Sequence, residues 1–309
     1  MTFKSTLSVL ALVAATPALA QDDCSSVTFA DVGWTDITAT TAATSVILDA
    51  LGYETETKLL SVPVTYISLA EGDVDVFLGN WMPTMEADIA PYRDAGTVDT
   101  VRTNLTGAKY TLAVNKVAAD MGIKTFADIA THADALDDEI YGIEPGNDGN
   151  RLILDMVNAD AFGLKDFKVV ESSEQGMLAQ VERSNGRDTP IVFLGWEPHP
   201  MNAKFDMTYL EGGDDWFGPN LGGAEVLTNT TAGYVAACPN VGKLLENLSF
   251  TLPMENEIMG AILNDNADPE AAATTWLAAH PDVWSAWLDG VTTLDGGDAT
   301  AAVTDKLSS

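Results

Sequence analysis

Three tryptophans occupy similar places in this chain. Each closes an apolar, strand-like run with a glycine at its end: VTFADVGW at Trp34, VDVFLGNW at Trp81 (with Asn80 intervening), and TPIVFLGW at Trp196. In open α/β sheets, ligands bind in the crevice beyond the carboxyl ends of the strands. These are therefore positions where an indole can line a cavity. One Gly-Trp after a strand is more often core packing. Three in one chain, two of them sharing Phe-Leu-Gly, point to an aromatic cage. The guest that suits such a cage is a quaternary ammonium, which the ring faces attract. The other tryptophans read as structural. Trp276, Trp284 and Trp287 lie at core-like spacing in a helical C-terminal stretch, and Trp216 sits in the loop GGDDWFGPN.

The polar companions of the cage decide which cation it takes. Tyr110, in the run GAKYTLAV, is the best fourth wall. Each desolvated face contributes up to about 2 kcal/mol toward a cation. Three or four faces, less the cost of association, make a micromolar or tighter site. Asp36 follows Trp34 by two residues. It can serve as a helix cap, or it can accept a hydroxyl proton and balance a positive charge at the cleft. Asn147, on the loop EPGNDGN, is either a turn residue or a donor and acceptor for the ligand. No cationic side chain adjoins the tryptophan motifs; Arg93 and Lys204 are the nearest, and Lys109 alternates with Tyr110. An ionised Asp36 would repel a carboxylate ligand such as glycine betaine by roughly 4 kcal/mol at about 4 Å and an effective dielectric near 20. A hydroxylated cation such as choline suits it better.

The elements that position these residues follow from periodicity and punctuation. Residues 27–33 read as a strand. Thr35 or Asp36 can cap the next helix, which runs to about Leu51 and stops at Gly52. Glu54 to Val62 is strand, Pro63 to Ala70 helix, and Val74 to Leu78 strand. That is βαβαβ, the start of a parallel sheet. Gly107 to Val114 is a further strand crossing into a second lobe. There Phe126 to Leu136 reads as helix and Ile140 to Ile143 as strand. A helix from about Arg151 to Ala161 follows, then strand Phe167 to Val170, helix Ser173 to Ser184, and strand Pro190 to Leu194. A loop-rich passage covers 211–223. Ala224 to Ala237 is a return strand, and the rest is helical to about Leu288. The tail carries a last weak helix that frays.

The expected fold is thus α/β, a clamshell of two lobes joined by two crossings. Residues 21–112 and 222–309 form a discontinuous first lobe, and 113–221 the second. Such lobe interfaces are favoured ligand sites, and hinge closure is their usual motion. The two FLG-(N)-W-x-P passages are either a quasi-repeat of the lobes or coincidence.

Residues 1–20, with Lys4, an apolar run and Ala18-Leu19-Ala20, read as a secretory signal with an A-x-A cleavage site. No other stretch is apolar and long enough to span a bilayer, so the mature protein reads as periplasmic and free of the membrane. The net charge of −31 becomes −32 without Lys4. It repels nucleic acid and anionic lipid and modestly concentrates cations, subject to screening. Two cysteines in an exported chain, Cys24 and Cys238, read as one disulfide.

Taken together, GWTD around Trp34, FLGNWMPT around Trp81, AKYTLAVN around Tyr110, EPGNDGN around Asn147 and FLGWEPHPMN around Trp196 carry a resemblance that covers essentially the whole mature chain. The chain resembles the periplasmic substrate-binding proteins of ABC importers for quaternary amines, most of all the choline-binding branch of the glycine betaine/proline type. The resemblance implies a type II-like binding-protein clamshell and an ABC permease as partner. It implies that Trp34, Trp81, Tyr110 and Trp196 cage the trimethylammonium, and that Asp36 and Asn147 hold the choline hydroxyl. The family's cysteine pair matches Cys24 and Cys238. No cofactor or metal is implied, and the chain is expected to be a monomer. Glycine betaine, carnitine and trimethylamine N-oxide are the alternative ligands, and a sensor is the alternative partner. An enzyme is the rival class. His132, His199 and His280 are scattered, however, and no nucleophile elbow, phosphate loop or zinc spacing is present.

Overall fold

The alternation of strand-forming and helical runs builds one curled nine-stranded sheet that serves both lobes. A computed structural model describes residues 24–308; the secretory signal read at 1–20 lies outside them. The strands are β1 (Ser26–Asp31), β2 (Glu54–Leu59), β3 (Val76–Met82), β4 (Val98–Asn115), β5 (Glu139–Tyr141), β6 (Lys168–Val170), β7 (Val192–Glu197), β8 (Met207–Tyr209) and β9 (Gly223–Thr231). Their order is β2-β1-β3-β9-β4-β7-β5-β6, with β8 pairing on β4. β1 lies between β2 and β3 and is parallel to both, as the βαβαβ reading requires. In the second lobe β5 is parallel to both β6 and β7.

The long strand β4 joins the lobes. From Val98 to Lys109 it pairs antiparallel with β9, and from Lys109 to Val114 with β7. Tyr110 therefore sits at the changeover, directly opposite Trp196. Residues opposite one another on paired strands share a face of the sheet, so Tyr110 and Trp196 look the same way. The second crossing is the approach to β9. Gly222 lies there with φ +68, and a Cβ on it would run into the Tyr110 carbonyl.

The helix Thr35–Ala50 is rich in Thr and Ala and is buried from Thr35 to Leu48 except at Thr38. Its small side chains let it lie between the sheet and the C-terminal helices Leu252–Asp265 and Pro269–Ala279. The Cys24–Cys238 disulfide forms, with Cα atoms 5.5 Å apart, and fixes the start of β1 to the helix Pro239–Asn247. Among the described residues no helix is long and apolar enough to cross a membrane.

Several local expectations change. Neither Thr35 nor Asp36 caps the first helix: the N-cap is Trp34, which offers no side-chain acceptor. Residues Phe126–Leu136 split into a short α-helix to Ile129 and a 3₁₀ turn that kinks at His132. The helix expected from Arg151 starts at Asp148, because Asn147 caps it through Asn150 N–H. β9 ends at Thr231, and Gly233, with φ +78, turns it into a short helix. The tail does not fray: Ala299–Leu307 is a helix that buries Ala299 and Val303. Trp284 and Trp287 are core. Trp276 and Trp216 are only half-buried, and Trp216 lies in a short helix, Asp214–Phe217.

Candidate ligand-binding site

Trp34, Asp36, Trp81, Tyr110 and Trp196, with Ile143, line one small cavity between the lobes. Each of the first five is at most 6% exposed, so the lobes are closed over it. The three tryptophans reach it by different routes. Trp81 and Trp196 lie within the last residues of β3 and β7. Trp34 stands beyond β1, where Gly33 (φ +83) turns the chain into the helix. The two W-x-P passages share a further feature, a cis peptide at Met82–Pro83 and at Glu197–Pro198.

The ring positions are fixed by edge contacts and by anchored N–H groups. Tyr110 meets Trp81 at 6.0 Å between centroids and Trp196 at 6.2 Å, both edge-on, and Phe217 supports it from behind at 5.9 Å. Edge-to-face packing of this kind is the favoured arrangement of aromatic quadrupoles. The Trp81 indole N–H donates to Asp36 Oδ2 at 3.1 Å. The Trp34 N–H donates across the cleft to Glu144 Oε1 at 2.9 Å. With their donors held by carboxylates, these indoles are free to present their faces to the cavity.

Asp36 is buried, and its second oxygen, Oδ1, has no hydrogen-bond partner. Burial, reinforced by the charge of Glu174, pushes its carboxyl up to about 8. Burial also raises Glu144, to about 7, against the opposing Trp34 hydrogen bond, and raises Asp148 to about 6. The Tyr110 hydroxyl is held well above its usual range, first by burial and then by Asp148 and Glu144. It therefore acts as a neutral donor.

Asn147 is not among the cavity-lining side chains; it lies one step behind Tyr110. Its Oδ1 accepts from the Tyr110 hydroxyl at 3.0 Å and from Asn150 N–H, while its Nδ2 donates to Asp148. Gly149 makes this approach possible, since a Cβ there would strike the Tyr110 hydroxyl. Of the flanking cations, Lys109 pairs with Glu197 at 3.1 Å and Lys204 with Glu182, and neither lines the cavity. His199 is buried with its ring edge-on to Trp196 at 5.0 Å.

Sequence reasoning passed over Ile143, Glu144 and Glu174. Glu144 stands in the same loop as Asn147, EPGNDGN, and nothing local signals that its carboxylate meets the Trp34 N–H. Glu174 reaches Thr35 across the cleft, and nothing in its local run, SSEQG, signals that.

A family model described as the substrate binding domain of ABC-type glycine betaine transport systems matches residues 25–279. A solved ABC-transporter choline binding protein in complex with choline is 68% identical, with a TM-score of 0.91 over 92% of this chain and 98% of that one. A structure with the same description in an unliganded semi-closed conformation is 68% identical, with a TM-score of 0.85 over 92% and 99%. The glycine betaine/carnitine transport binding protein GbuC of Listeria monocytogenes serotype 1/2a (strain 10403S) is 30% identical over 133 residues, 43% of each chain. The closed cleft described above thus superposes better on the liganded relative than on the semi-closed one.

Proposed function

Because the chain belongs to the family of substrate-binding domains of ABC-type glycine betaine transport systems, we propose that it captures choline in the periplasm and delivers it to an ABC permease. Proteins of this family bind and hand over a solute, and we read this chain as catalysing no reaction.

The observation that carries the reading is the convergence of Trp34, Trp81, Tyr110 and Trp196 from both lobes on one small buried cavity with Asp36. A trimethylammonium has no N–H to donate, so hydrogen bonds cannot select it. Ring faces can, through their quadrupoles, and exclusion of water strengthens each contact. Asp36 then distinguishes the other end of the ligand. Its free Oδ1 accepts a hydroxyl proton, and its charge offsets that of the cation. Asn147 steadies the Tyr110 hydroxyl and keeps one amide hydrogen for the choline oxygen. Glycine betaine is the second reading, and the raised titration of Asp36 favours it. A protonated Asp36 does not repel a carboxylate.

Calorimetry with choline, glycine betaine, carnitine and trimethylamine N-oxide tests the proposal. Choline is expected to bind at micromolar Kd or tighter, with a change in indole fluorescence. No heat with choline and tight binding of an anionic solute would overturn it.

A further inference from the structure

Glu174 does not line the cavity, yet it touches the supports of both its halves. It is the first residue of the second-lobe helix Glu174–Gly186, whose N-cap is Ser173. Its carboxylate crosses the cleft to the first-lobe helix Thr35–Ala50. There Oε2 accepts from Thr35 N–H at 2.8 Å, and Oε1 accepts from the Thr35 hydroxyl. Oε1 also faces His199 Nε2 at 3.3 Å. His199 Nδ1 accepts from Met201 N–H at 2.9 Å, so in the neutral ring the proton lies on Nε2 and is directed at Glu174. The His199 ring in turn bears on Trp196. Glu174 is thus bonded on one side to the residue between Trp34 and Asp36, and on the other to the ring that supports Trp196.

The first turn of the helix Thr35–Ala50 explains why this matters. A helix start leaves N–H groups without partners, and the N-cap Trp34 has no side-chain oxygen to supply one. The acceptor comes instead from the other lobe. Glu174 also lies at the N-terminus of its own helix, so the positive ends of two helices favour its charge. The cap on Thr35 and the field of the first-lobe helix are available to it only while the lobes are closed.

We propose that Glu174 is a positioning residue that couples lobe closure to completion of the cage: the carboxylate that backs His199 behind Trp196 in its own lobe caps the first-lobe helix, between Trp34 and Asp36, when the lobes meet. This rests on the choline reading only for the choice of probe. Opening the cleft strips the cap from Thr35, while the contacts of Glu174 with His199 and of His199 with Trp196 stay within the second lobe.

The test uses Glu174→Gln and Glu174→Ala in the full mature chain, with choline binding followed by stopped-flow indole fluorescence. A lost cap together with lost charge-assisted bonds predicts a rise in Kd of about tenfold or more for Glu174→Ala. The rise should fall in the dissociation rate. Glu174→Gln, which keeps one acceptor oxygen, should lie between that and wild type. Glu174→Ala and Thr35→Ala should be non-additive in a double-mutant cycle, since they share one contact. The ligand-free Tm should fall less than that of the choline complex, because the bonds to Thr35 are already broken in the open state and only the contact with His199 remains to be lost. An unchanged dissociation rate in both variants would overturn the proposal. So would a fall in ligand-free Tm as large as that of the choline complex, which would make Glu174 an ordinary core residue. Failure of wild type to bind choline would instead sink the functional reading.

Discussion

The preference for choline over glycine betaine should depend on pH, and Asp36 should be the cause. The ratio of the two dissociation constants is independent of how the free protein titrates, because the free state is common to both. It depends only on Asp36 in the two complexes. In the closed cavity without a cation, burial and then Glu174 place this carboxyl at about 8. A trimethylammonium with a hydroxyl at the far end favours the charged form and moves it below that value. The carboxylate of betaine favours the neutral form and moves it above. Between those two values the choline complex holds one proton fewer than the betaine complex, so the preference for choline rises by about tenfold per pH unit. The range is bounded by the charge–charge energy. Roughly 4 kcal/mol at about 4 Å and an effective dielectric near 20 corresponds to about three pH units. The preference should therefore climb on the order of a hundred- to thousandfold between about pH 6 and 9, and at the acid end shape alone should decide.

Asp36→Asn is the decisive perturbation. It keeps an oxygen for the Trp81 N–H, which Asp36 Oδ2 now accepts, and nearly the same volume, but it cannot ionise. Paired titrations of choline and betaine across that pH range, at fixed ionic strength, should give a sloping ratio for wild type and a flat one for the variant. Glu144→Gln is the control, because Glu144 is held at about 7 yet reaches the cavity only through the Trp34 N–H. It should leave the slope in place. A wild-type ratio independent of pH, or a slope that survives Asp36→Asn, would refute the reasoning.

The cage itself predicts that Trp34→Ala, Trp81→Ala and Trp196→Ala each weaken choline by at least about 1–2 kcal/mol, read by calorimetry on variants whose circular dichroism is unchanged. Trp287→Ala, which empties a site 1% exposed, should cost about 3–5 kcal/mol of stability and leave affinity alone. Trp276, half-buried with its N–H on Glu257, should cost only about 1 kcal/mol; denaturant melts of the two variants separate these cases. Reducing Cys24–Cys238 should lower stability by roughly 5 kcal/mol on the chain-entropy account. The Kd for choline should hardly move, because the bridge stands outside the cavity.

The sheet and the aromatic walls were legible because they rest on local, repeated signals. β1, β2 and β3 alternate with helices of ordinary length, and the Gly-Trp endings mark three places on the sheet. Tyr110 was legible by its place in a crossing strand, and its register opposite Trp196 shows why that place counts. What sequence did not reveal is what forms only when distant segments meet. The N-cap of the helix at Thr35 looked like a matter for Thr35 or Asp36, the nearest acceptors, but Glu174 fills it from 139 residues away. Asn147 reads in sequence as either a turn residue or a ligand contact, and neither reading indicates that its oxygen caps a helix and holds the Tyr110 hydroxyl. The C-terminal helix looked ready to fray because its flanks are rich in Gly and Asp, whereas Val303 anchors it.

The closed cleft brings together carboxyl groups whose burial disfavours their charged forms when no cation lies among them. Asp36, Asp148 and Glu174 are buried carboxyl groups in or beside the cavity and Glu144 is half-buried, in a chain whose net charge is already −31. Across the same cleft Arg151 reaches Asp88 at 2.7 Å, but among the described residues no cationic side chain lines the cavity itself. A ligand shifts an open–closed equilibrium only by its differential affinity for the two forms. In the open form a cation meets one part of the cage. In the closed form it gains the ring faces of the far lobe, at up to about 2 kcal/mol each, together with the field of the gathered carboxylates. Neutral or anionic solutes gain neither, and they leave the charged forms of Asp36 and Glu144 disfavoured. Selectivity and closure are therefore one property of this site: the guest that best offsets the buried negative charge is also the guest that holds the lobes shut.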